Sequence, residues 1–389
     1  MNHFTFLLIR AFTITLSILY FHIAVFSQQT LNKSITHDGM QREYIMYIPA
    51  NYTGSTAFPV VLNFHGYGSS ATQQMWYGDF RPIADTADFL VVHPQGSLFN
   101  GITHWNVGGW TVGSTVDDVG FIDALLDTVS SGYNIDSTRV YATGMSNGGF
   151  MSFLLAGQLS EKIAAIASVA GSMTPETFNN SNPVHPTPIL QFHGTADGVV
   201  PYNGAIWTLP VADALQYWVD YNQCNTFPSI TQLPDIDPND GSTVEHIVYS
   251  GGNNEVNVEH FKVIGGEHTW PGSDFGGAGT NYDIDASAEI WKFFSRYNIN
   301  GLIEITDIED TEENDQTLMV YPNPATSYLI VESDLINQAY QVQPIQGKIV
   351  LRGMLNSRSQ RIDLSGLSAG VYLFKVGKQN IKVLKSTHD

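Results

Sequence analysis

Apolar and polar positions fall into short blocks along the first three quarters of the chain. Continuous apolar runs end in turns rich in glycine and histidine, which is typical of strands buried on both faces. Longer amphipathic or apolar segments separate them and predict helices. We predict buried strands at residues 58–64, 89–92, 140–142, 164–169, 188–192 and 258–264, and helices at 117–127, 150–159 and 286–297. The pattern predicts the α/β class, with a mostly parallel sheet covered by helices on both faces.

The pattern changes after residue 300. Residues 300–317 are rich in Asp and Glu and contain no Lys or Arg, which indicates a solvated acidic linker. Residues 318–389 then alternate in short β-type segments separated by turns that contain Gly and Asn. This spacing predicts a small all-β sandwich at the C-terminal end.

The N-terminal segment has the features of a secretory signal peptide. Arg10 precedes an apolar stretch at residues 11–26, and small residues precede a cleavage point after Ser27. A membrane anchor is the alternative, although the apolar stretch is short for a bilayer span. We therefore expect a signal peptide at 1–27 and an α/β domain at 28–299, followed by the linker at 300–317 and the sandwich at 318–389.

Composition narrows the possible partners. The formal net charge of -20 excludes nucleic acid as an expected partner, because a polyanion would be repelled. Cys224 is the single cysteine, so no intramolecular disulfide can form and its role stays open. The sequence contains no zinc-ligand pattern, calcium-loop pattern or phosphate-binding loop, so we expect neither a metal nor a cofactor.

Residues 139–150 run from an apolar segment, through a glycine-flanked serine, into another apolar segment. Gly144, Ser146 and Gly148 form the Gly-x-Ser-x-Gly pattern. Between a strand and a helix, this pattern makes a sharp turn that exposes the serine oxygen at a helix N-terminus. We predict that Ser146 is a nucleophile. A tight turn with an incidental serine is the alternative.

A serine nucleophile requires a base, and histidine suits that role at neutral pH. We predict His268, which follows the strand at 258–264 in a glycine-rich turn. His65, His93 and His193 also follow strands and are rivals. His65 and His193 each precede a glycine, and we interpret them as structural supports of their turns.

Asp197 is the predicted acid that orients the imidazole. An aspartate of a turn is the alternative, and Asp117 and Asp118 compete, although their position before an apolar helix favours N-capping. The order Ser146, Asp197, His268 is that of α/β-hydrolases.

Oxyanion donors are predicted at the backbone N–H groups of Tyr67 and Asn147. Because Asn147 would act through its backbone, its side chain should be free to vary. Several aromatic residues lie on turns near this predicted edge and are candidates for substrate contact, with ordinary aromatic packing as the alternative: Trp105, Trp110 and Trp270, together with Tyr67 and Trp76.

Five sequence blocks together resemble the polyhydroxybutyrate depolymerase / feruloyl esterase family of secreted α/β-hydrolases. They are residues 62–68, 117–122, 139–149, 193–197 and 266–272, and the resemblance covers roughly 30–298. It implies a Ser146–Asp197–His268 triad, the oxyanion hole above and an ester substrate, either polysaccharide-linked or a polyester. Many family members carry disulfides around the site, and several have cysteine where Tyr67 stands here.

The tail resembles a type IX secretion sorting domain at residues 321–325, 367–372 and 381–385. This resemblance implies the type IX secretion machinery as a partner and export across the outer membrane to the cell surface or beyond. A carbohydrate-binding sandwich is the alternative for the tail. For the whole chain, a serine esterase is expected. A peptidase on the same fold and a non-catalytic carbohydrate-binding protein stay open, as does the oligomeric state.

Overall fold

The computed structural model describes residues 27–303, 318–333, 335–344, 349–376 and 379–386. The predicted signal peptide lies outside these residues except for Ser27, and most of the predicted acidic linker lies outside them too. Two compact units are present, Met1–Glu304 and Ile305–Asp389, and each is described by itself. Within the described part, no helix has the length and apolar character needed to cross a membrane.

A ten-stranded sheet forms the centre of the first unit, in the order β1-β2-β4-β3-β7-β8-β9-β12-β11-β10. Its six inner strands, from β4 to β12, run parallel, and the two strands at each edge pair antiparallel. The strands of this unit are β1 (Gln29–His37), β2 (Met40–Ile48), β3 (Phe58–Phe64), β4 (Leu90–Pro94), β5 (Ser97–Phe99), β6 (Ile102–His104), β7 (Ile135–Met145), β8 (Ala165–Val169), β9 (Ile189–Gly194), β10 (Ser229–Gln232), β11 (Thr243–Tyr249), β12 (Val258–Ile264), β13 (Tyr297–Asn298) and β14 (Gly301–Leu302). Strands β5 and β6 form a separate hairpin, and β13 pairs with β14.

Helices cover both faces of this sheet. They are α1 (Ala71–Tyr77), α2 (Arg81–Ala87), α3 (Asp118–Gly132), α4 (Asn147–Gln158), α5 (Pro175–Asn180), α6 (Val211–Asn222) and α7 (Ala286–Phe294), with short 3₁₀ turns at Gly109–Thr111 and Asn253–Glu255. Residues of α3, α4 and α6 pack into one apolar core, and residues of α2 and α7 pack into the other.

The alternation of side chains along β3 shows how one strand serves both cores. Val60, Leu62 and Phe64 belong to the core under α3 and α4, whereas Val61 belongs to the core under α2 and α7. All four side chains have no exposed surface. Since successive strand residues point to opposite faces, a central strand must be apolar at every position, and this explains the continuous run in the sequence.

The second unit is built from two small antiparallel sheets. One contains β15 (Leu318–Tyr321), β16 (Tyr328–Ser333) and β19 (Ser359–Asp363); the other contains β17 (Ala339–Pro344), β18 (Leu351–Met354), β20 (Gly370–Val376) and β21 (Gln379–Lys385). Leu329 and Val331 from the first sheet share one apolar core with Val342 and Phe374 from the second. Two sheets packed over a common core make the all-β architecture that the alternating sequence predicted.

The predicted sheet with helices on both faces is confirmed. Its edges carry strands that the sequence analysis did not predict, namely β1, β10 and β11. Strand β1 alternates between exposed and half-buried residues, and all four residues of β10 are exposed. Edge strands bury little surface, so they lack the continuous apolar signal of the central strands.

Candidate active site

Ser146 lies at the turn between β7 and α4. Its backbone has φ 54° and ψ -121°, a conformation that side-chain-bearing residues rarely adopt. Its N–H donates to the carbonyl of Val169 at 2.8 Å, and its own carbonyl accepts from the N–H of Phe150 at 3.0 Å. The turn therefore fixes Ser146 at the N-terminus of α4, next to the carboxyl end of β8.

The glycines around Ser146 permit close approach of neighbouring backbone. A Cβ added to Gly144 would lie 2.5 Å from the carbonyl oxygen of Phe64, and one added to Gly148 would lie 2.1 Å from the same oxygen. A Cβ on Gly149 would lie 2.6 Å from Ser168 Oγ. These distances identify β3 and β8 as the strands that crowd the turn, and they explain why residues without a side chain stand at these positions.

His268 and Asp197 are hydrogen-bonded to each other. His268 Nδ1 lies 2.7 Å from Asp197 Oδ2, and the Asp197 side chain is fully buried while that of His268 is 17% exposed. The other carboxylate oxygen, Oδ1, accepts the backbone N–H groups of Val199 and Val200, each at 2.8 Å. With both carboxylate oxygens engaged, Asp197 is fixed in position and in turn fixes the orientation of the His268 ring.

A second imidazole also contacts Asp197. His193 Nε2 lies 3.4 Å from Asp197 Oδ2 and 2.9 Å from the carbonyl of Val200. Burial alone would raise the pKa of Asp197, but the hydrogen bonds from His193 and His268 outweigh burial and hold that pKa well below its usual range. Asp197 is therefore a carboxylate at any pH at which the protein would act.

His65 supports the turn after β3, in agreement with its predicted role. Its Nδ1–H donates to the carbonyl of Gly66 at 2.7 Å, and its Nε2 accepts the N–H of Gly96 at 2.9 Å. Burial lowers the pKa of His65 to about 4, so the ring is neutral near pH 7. His93 is fully buried, and burial lowers its pKa to about 3.

The turn held by His65 lies against the serine. A Cβ built on Gly66 would lie 3.5 Å from Ser146 Cβ and 3.6 Å from the carbonyl of Met145. Tyr67, a predicted oxyanion donor, is the next residue. Asn147, the other predicted donor, is the first residue of α4 and follows Ser146 directly. Both predicted backbone donors thus belong to segments adjacent to Ser146.

The side chain of Asn147 is not free to vary, which corrects the sequence-based expectation. It is fully buried, its Oδ1 accepts the N–H of Trp105 at 2.7 Å, and its Nδ2 donates to the carbonyl of Trp105 at 3.1 Å. Trp105 Nε1 also donates to the carbonyl of His65 at 2.9 Å. The loop that carries Trp105 is therefore joined both to the serine turn and to the turn after β3.

A cavity of about 880 Å³ opens at this edge of the sheet and contains both Ser146 and His268. Asp197 lies behind His268, away from the cavity lining. The lining combines aromatic rings with amide and hydroxyl groups. The residues that line it are Gly66, Tyr67, Gly68, Ser69, Gln73, Gln74, Trp76, Tyr77, Met145, Ser146, His268 and Phe275.

Three of the aromatic candidates for substrate contact, Trp105, Trp110 and Trp270, do not line this cavity. Trp105 is 0% exposed and Trp270 is 1% exposed, and Trp270 Nε1 donates to Ser287 Oγ within the core. For these two residues the expectation of substrate contact is corrected, because buried rings cannot reach a ligand. Trp110 is half-buried and packs edge-on to Tyr67, which does line the cavity, with ring centroids 6.5 Å apart.

Tyr67 and Trp76, which the sequence analysis included among the aromatic candidates, do line the cavity, whereas Phe275 was missed. Trp76 lies in the short helix α1, and Phe275 lies in the loop between His268 and α7. These rings are 48% and 63% exposed. The available signal was their proximity in sequence to the turns that carry Tyr67 and His268.

Asp117 and Asp118 have different roles, although both were predicted to cap a helix. Asp117 Oδ1 accepts the N–H of Gly120 at 2.8 Å and caps α3. Asp118 is buried, lies 2.6 Å from the guanidinium of Arg42, and accepts the N–H of Asn106 at 2.7 Å. The buried ion pair thus anchors the loop that carries Trp105.

Two family models match parts of the chain. Residues 117–230, which include Ser146 and Asp197, match the phospholipase/carboxylesterase family, and residues 319–387 match the secretion system C-terminal sorting domain. The chain is therefore similar to carboxylesterases over residues 117–230, and its match to the sorting domain indicates type IX secretion and export to the cell surface or extracellular space.

Curated relatives include proteins named as esterases. The chain is 27% identical over 275 residues to a bifunctional acetylxylan esterase/xylanase of Neocallimastix patriciarum, covering 70% of this chain and 36% of that protein. It is 34% identical over 167 residues to feruloyl esterase B of Piromyces equi, covering 42% and 31%. Feruloyl esterase D of Neurospora crassa is 29% identical over 288 residues, covering 69% and 86%. The chain thus spans about a third of the length of the first two relatives. The predicted resemblance to feruloyl esterases is confirmed, while its polyhydroxybutyrate depolymerase part stays a prediction.

Among solved structures, an acetyl xylan esterase from Aspergillus awamori superimposes with a TM-score of 0.51 at 14% identity, covering 68% of this chain and 99% of that one. This likeness concerns the fold and supports the α/β-hydrolase architecture. The predicted fold class is confirmed.

Proposed function

We propose that this chain, which carries a phospholipase/carboxylesterase domain and a secretion-system sorting domain, is a secreted serine hydrolase of carboxylic esters. The observation that carries the proposal is that Ser146 and His268 line one cavity and that Asp197 is hydrogen-bonded to His268. Ser146 occupies the turn between β7 and α4, and His268 lines the same cavity with its Nδ1 2.7 Å from Asp197. Nucleophile, base and orienting acid are the parts that acyl transfer through serine requires.

In the proposed first step, Ser146 Oγ attacks the ester carbonyl carbon while His268 Nε2 takes the serine proton. The His268 Nδ1–H bond to Asp197 fixes the tautomer in which Nε2 is the basic nitrogen, and the negative carboxylate stabilises the imidazolium that forms. The imidazolium then protonates the leaving alcohol as the carbon–oxygen bond breaks. An acyl group remains on Ser146.

In the second step, a water molecule attacks the acyl-enzyme and His268 accepts one of its protons. Collapse of the tetrahedral intermediate releases a carboxylic acid and returns the proton to Ser146 Oγ. At neutral pH the acid leaves as a carboxylate, and the net charge of -20 on the chain favours its departure.

We assign stabilisation of the negative charge that develops on the carbonyl oxygen to the backbone N–H groups of Tyr67 and Asn147. Hydrogen bonds fix both segments next to Ser146: His65 Nδ1–H donates to the carbonyl of Gly66 beside Tyr67, and the Asn147 side chain accepts the N–H of Trp105 and donates to its carbonyl. Donors held in place before the reaction need no reorganisation as charge develops, and each is typically worth about 3 kcal/mol of transition-state stabilisation.

The relatives suggest polysaccharide-linked esters as the natural substrates. Their names specify acetylxylan and feruloyl esters, and we extend that class to this chain. Residues 28–299 would form the catalytic domain, with a signal peptide at 1–27, a linker at 300–317 and the sorting domain at 318–389. Export would proceed across the outer membrane through the type IX machinery.

Two other functions use the same arrangement of residues. A peptidase would cleave amides, and a non-catalytic carbohydrate-binding protein would keep the fold without reacting. The similar proteins are named as esterases, which favours ester over amide cleavage. The positive φ of Ser146 costs conformational energy, and a binding protein that does not use the serine would have no reason to retain it.

Hydrolysis of p-nitrophenyl acetate by the purified chain and by Ser146→Ala tests the proposal. We expect the variant to lose nearly all activity and to stop reacting with a fluorophosphonate probe, with an unchanged thermal unfolding midpoint. Equal hydrolysis by both proteins would refute the role of Ser146. Faster cleavage of a matched amide than of the ester would favour the peptidase.

A further inference from the structure

Residues of α5 and α6 line a second cavity, which shares no lining residue with the cavity that contains Ser146. Its volume is about 780 Å³, and we call it the α5–α6 groove. The groove combines aromatic rings with carboxylate and amide groups. The lining residues that matter here are Phe178, Asp213, Gln216, Tyr217, Asp220 and Tyr221.

The aromatic rings of the groove share an orientation. Tyr217 and Tyr221 are four residues apart on α6, so they lie on the same face of that helix. Their ring planes differ by only 9°, with the centroids 6.4 Å apart. From α5, Phe178 packs edge-on to Tyr217 at a centroid distance of 5.3 Å and is 39% exposed. The groove thus offers aromatic faces that point in one direction.

These rings are fixed by their surroundings. The Tyr221 hydroxyl donates to the carbonyl of Pro183 at 2.6 Å. Trp218, which is fully buried, packs edge-on to both Tyr217 and Tyr221, with centroid distances of 5.2 and 5.8 Å. Since the aromatic surface is ordered before a ligand arrives, binding costs little conformational entropy.

The polar groups of the groove are mostly acceptors. Gln216 Nε2 donates to Asp220 Oδ1 at 2.7 Å and so fixes that carboxylate. Within the described residues, the Asp213 carboxylate and the Tyr217 hydroxyl have no hydrogen-bond partner and are available to a ligand. No Lys or Arg belongs to the lining, all of which lies in the described part of the chain. An anionic ligand would therefore meet only like charge.

A neutral glycan chain matches this combination of groups. A pyranose ring whose substituents are equatorial has two apolar C–H faces and a rim of hydroxyl groups. The faces can pack on aromatic rings, while the hydroxyls donate to carboxylate oxygens. An apolar peptide would cover the carboxylates without giving them partners, which costs free energy.

We propose that the α5–α6 groove is a non-catalytic binding site for a neutral polysaccharide chain, with Phe178 and Tyr217 as its main contacts. The groove belongs to the same unit as Ser146. The N–H of Asn182 donates to the carbonyl of Gly157 at 2.9 Å, which ties the end of α5 to the end of α4. Helix α4 begins directly after Ser146 and, with 12 residues, is about 18 Å long.

A polysaccharide held in the groove would keep its neighbouring segments near Ser146 and raise the local concentration of the esters that they carry. This consequence rests on the proposed function. Binding of the glycan does not, so the two can be measured separately.

Electrophoresis of the full chain in native gels that contain water-soluble arabinoxylan measures binding without catalysis. We expect arabinoxylan to retard the chain and polygalacturonate, a polyanion, to leave its mobility unchanged. Phe178→Ala and Tyr217→Ala should each weaken binding by about 5- to 10-fold, because each removes a ring that packs on the sugar.

Two further variants serve as controls. Tyr217→Phe keeps the ring and should bind nearly as well as the wild type. Phe227→Ala removes a ring that is 92% exposed and lies outside the groove, and its binding should equal that of the wild type. All four variants should hydrolyse p-nitrophenyl acetate at the wild-type rate, and thermal unfolding midpoints verify that they are folded.

The outcomes separate this proposal from the esterase proposal. If esters are hydrolysed in a Ser146-dependent way but arabinoxylan does not retard the chain, or Phe178→Ala and Tyr217→Ala bind like the wild type, the groove is overturned and the esterase stands. Equal losses in Tyr217→Phe and Tyr217→Ala would contradict ring packing. A dimer in size-exclusion chromatography that Tyr217→Ala dissociates would identify a second copy as the occupant and overturn the glycan. Groove-dependent binding without hydrolysis of any ester would support the groove and refute the esterase.

Discussion

His193 Nε2 and His268 Nδ1 approach the same carboxylate oxygen, Asp197 Oδ2, at 3.4 and 2.7 Å. The carboxylate thus faces the proposed base on one side and a buried imidazole on the other. Gln191 Nε2 lies 3.1 Å from His193 Nδ1 and donates to the carbonyl of Gly171, which fixes the environment of the inner ring. His193 is therefore placed to hold Asp197 in its ionised, correctly aimed form.

Replacing His193 by Phe should lower kcat by about 10-fold, because its 3.4 Å contact with a buried carboxylate lies at the weak end of hydrogen bonds to charged groups, worth about 1.5 kcal/mol. Without this bond the pKa of Asp197 rises, so the loss should be greater at pH 5 than at pH 8. Steady-state kinetics across that pH range measure the effect.

His260→Phe is the control for that variant. His260 is buried and hydrogen-bonds to Tyr202 and to the carbonyl of Gln191, and within the described residues no hydrogen bond or ion pair joins it to Asp197. If both variants lose activity equally and with the same pH dependence, His193 acts only as part of the core.

Asp197→Asn should reduce kcat by roughly 10⁴-fold with little change in KM, as expected when the orienting acid of a serine hydrolase is removed. The amide can still accept the N–H groups of Val199 and Val200, so the fold should be retained. A loss of less than about 10-fold on an ester substrate would contradict the assigned role.

Gly148→Ala should disrupt the serine turn. The new Cβ would lie 2.1 Å from the carbonyl oxygen of Phe64, which is backbone and cannot move aside cheaply. We expect the free energy of unfolding to fall by about 1–3 kcal/mol in urea titrations, together with loss of activity. Gly132→Ala at the end of α3 meets no atom within 4 Å and should be neutral, so equal effects would contradict the steric account.

Acid should destabilise the catalytic unit from about pH 6.5 downward. Burial lowers the pKa of His65 to about 4 and those of His93 and His260 to about 3, from an ordinary value of 6.5. On acidification, these histidines take up protons in the unfolded chain at a higher pH than in the folded chain. The stability that the buried neutral rings contribute is therefore complete above pH 6.5 and is lost as the pH falls towards the pKa values of the folded state.

His93→Leu tests this acid effect at one position. Neither ring nitrogen of His93 has a hydrogen-bond partner within the described residues, and the side chain is fully buried. We expect the variant to be more stable by about 1–3 kcal/mol at neutral pH and to lose less stability on acidification. Thermal unfolding between pH 7.5 and 4.5 measures both, and a steeper loss in the variant would contradict the expectation.

The sequence was informative where physical constraints leave few residue choices. The central strands had to be apolar at every position, and Gly144 and Gly148 had to lack a side chain, so β3, β7, β12 and the serine turn were predictable. Turns after parallel strands meet at one edge of the sheet, which is why Asp197 and His268, 71 residues apart, could be paired in advance.

The remaining features depend on contacts that no local pattern encodes. Trp105 and Trp76 are both tryptophans near loops, yet one is fully buried and the other is half exposed in the cavity. Asp117 and Asp118 are neighbours of the same type, but only Asp118 meets the buried guanidinium of Arg42. Such differences are decided by which distant segment packs on each residue.

Three attachments hold the loop around Trp105. The backbone N–H of Trp105 bonds to Asn147, and its indole N–H bonds to the carbonyl of His65. The N–H of Asn106 bonds to Asp118, which is itself paired with Arg42. Many members of the family that this sequence resembles use disulfides around the site. Here the only cysteine is the buried Cys224. The catalytic unit can therefore acquire its final structure without an oxidation step, and thiol reductants will leave its site intact whether it is still inside the cell or already exported.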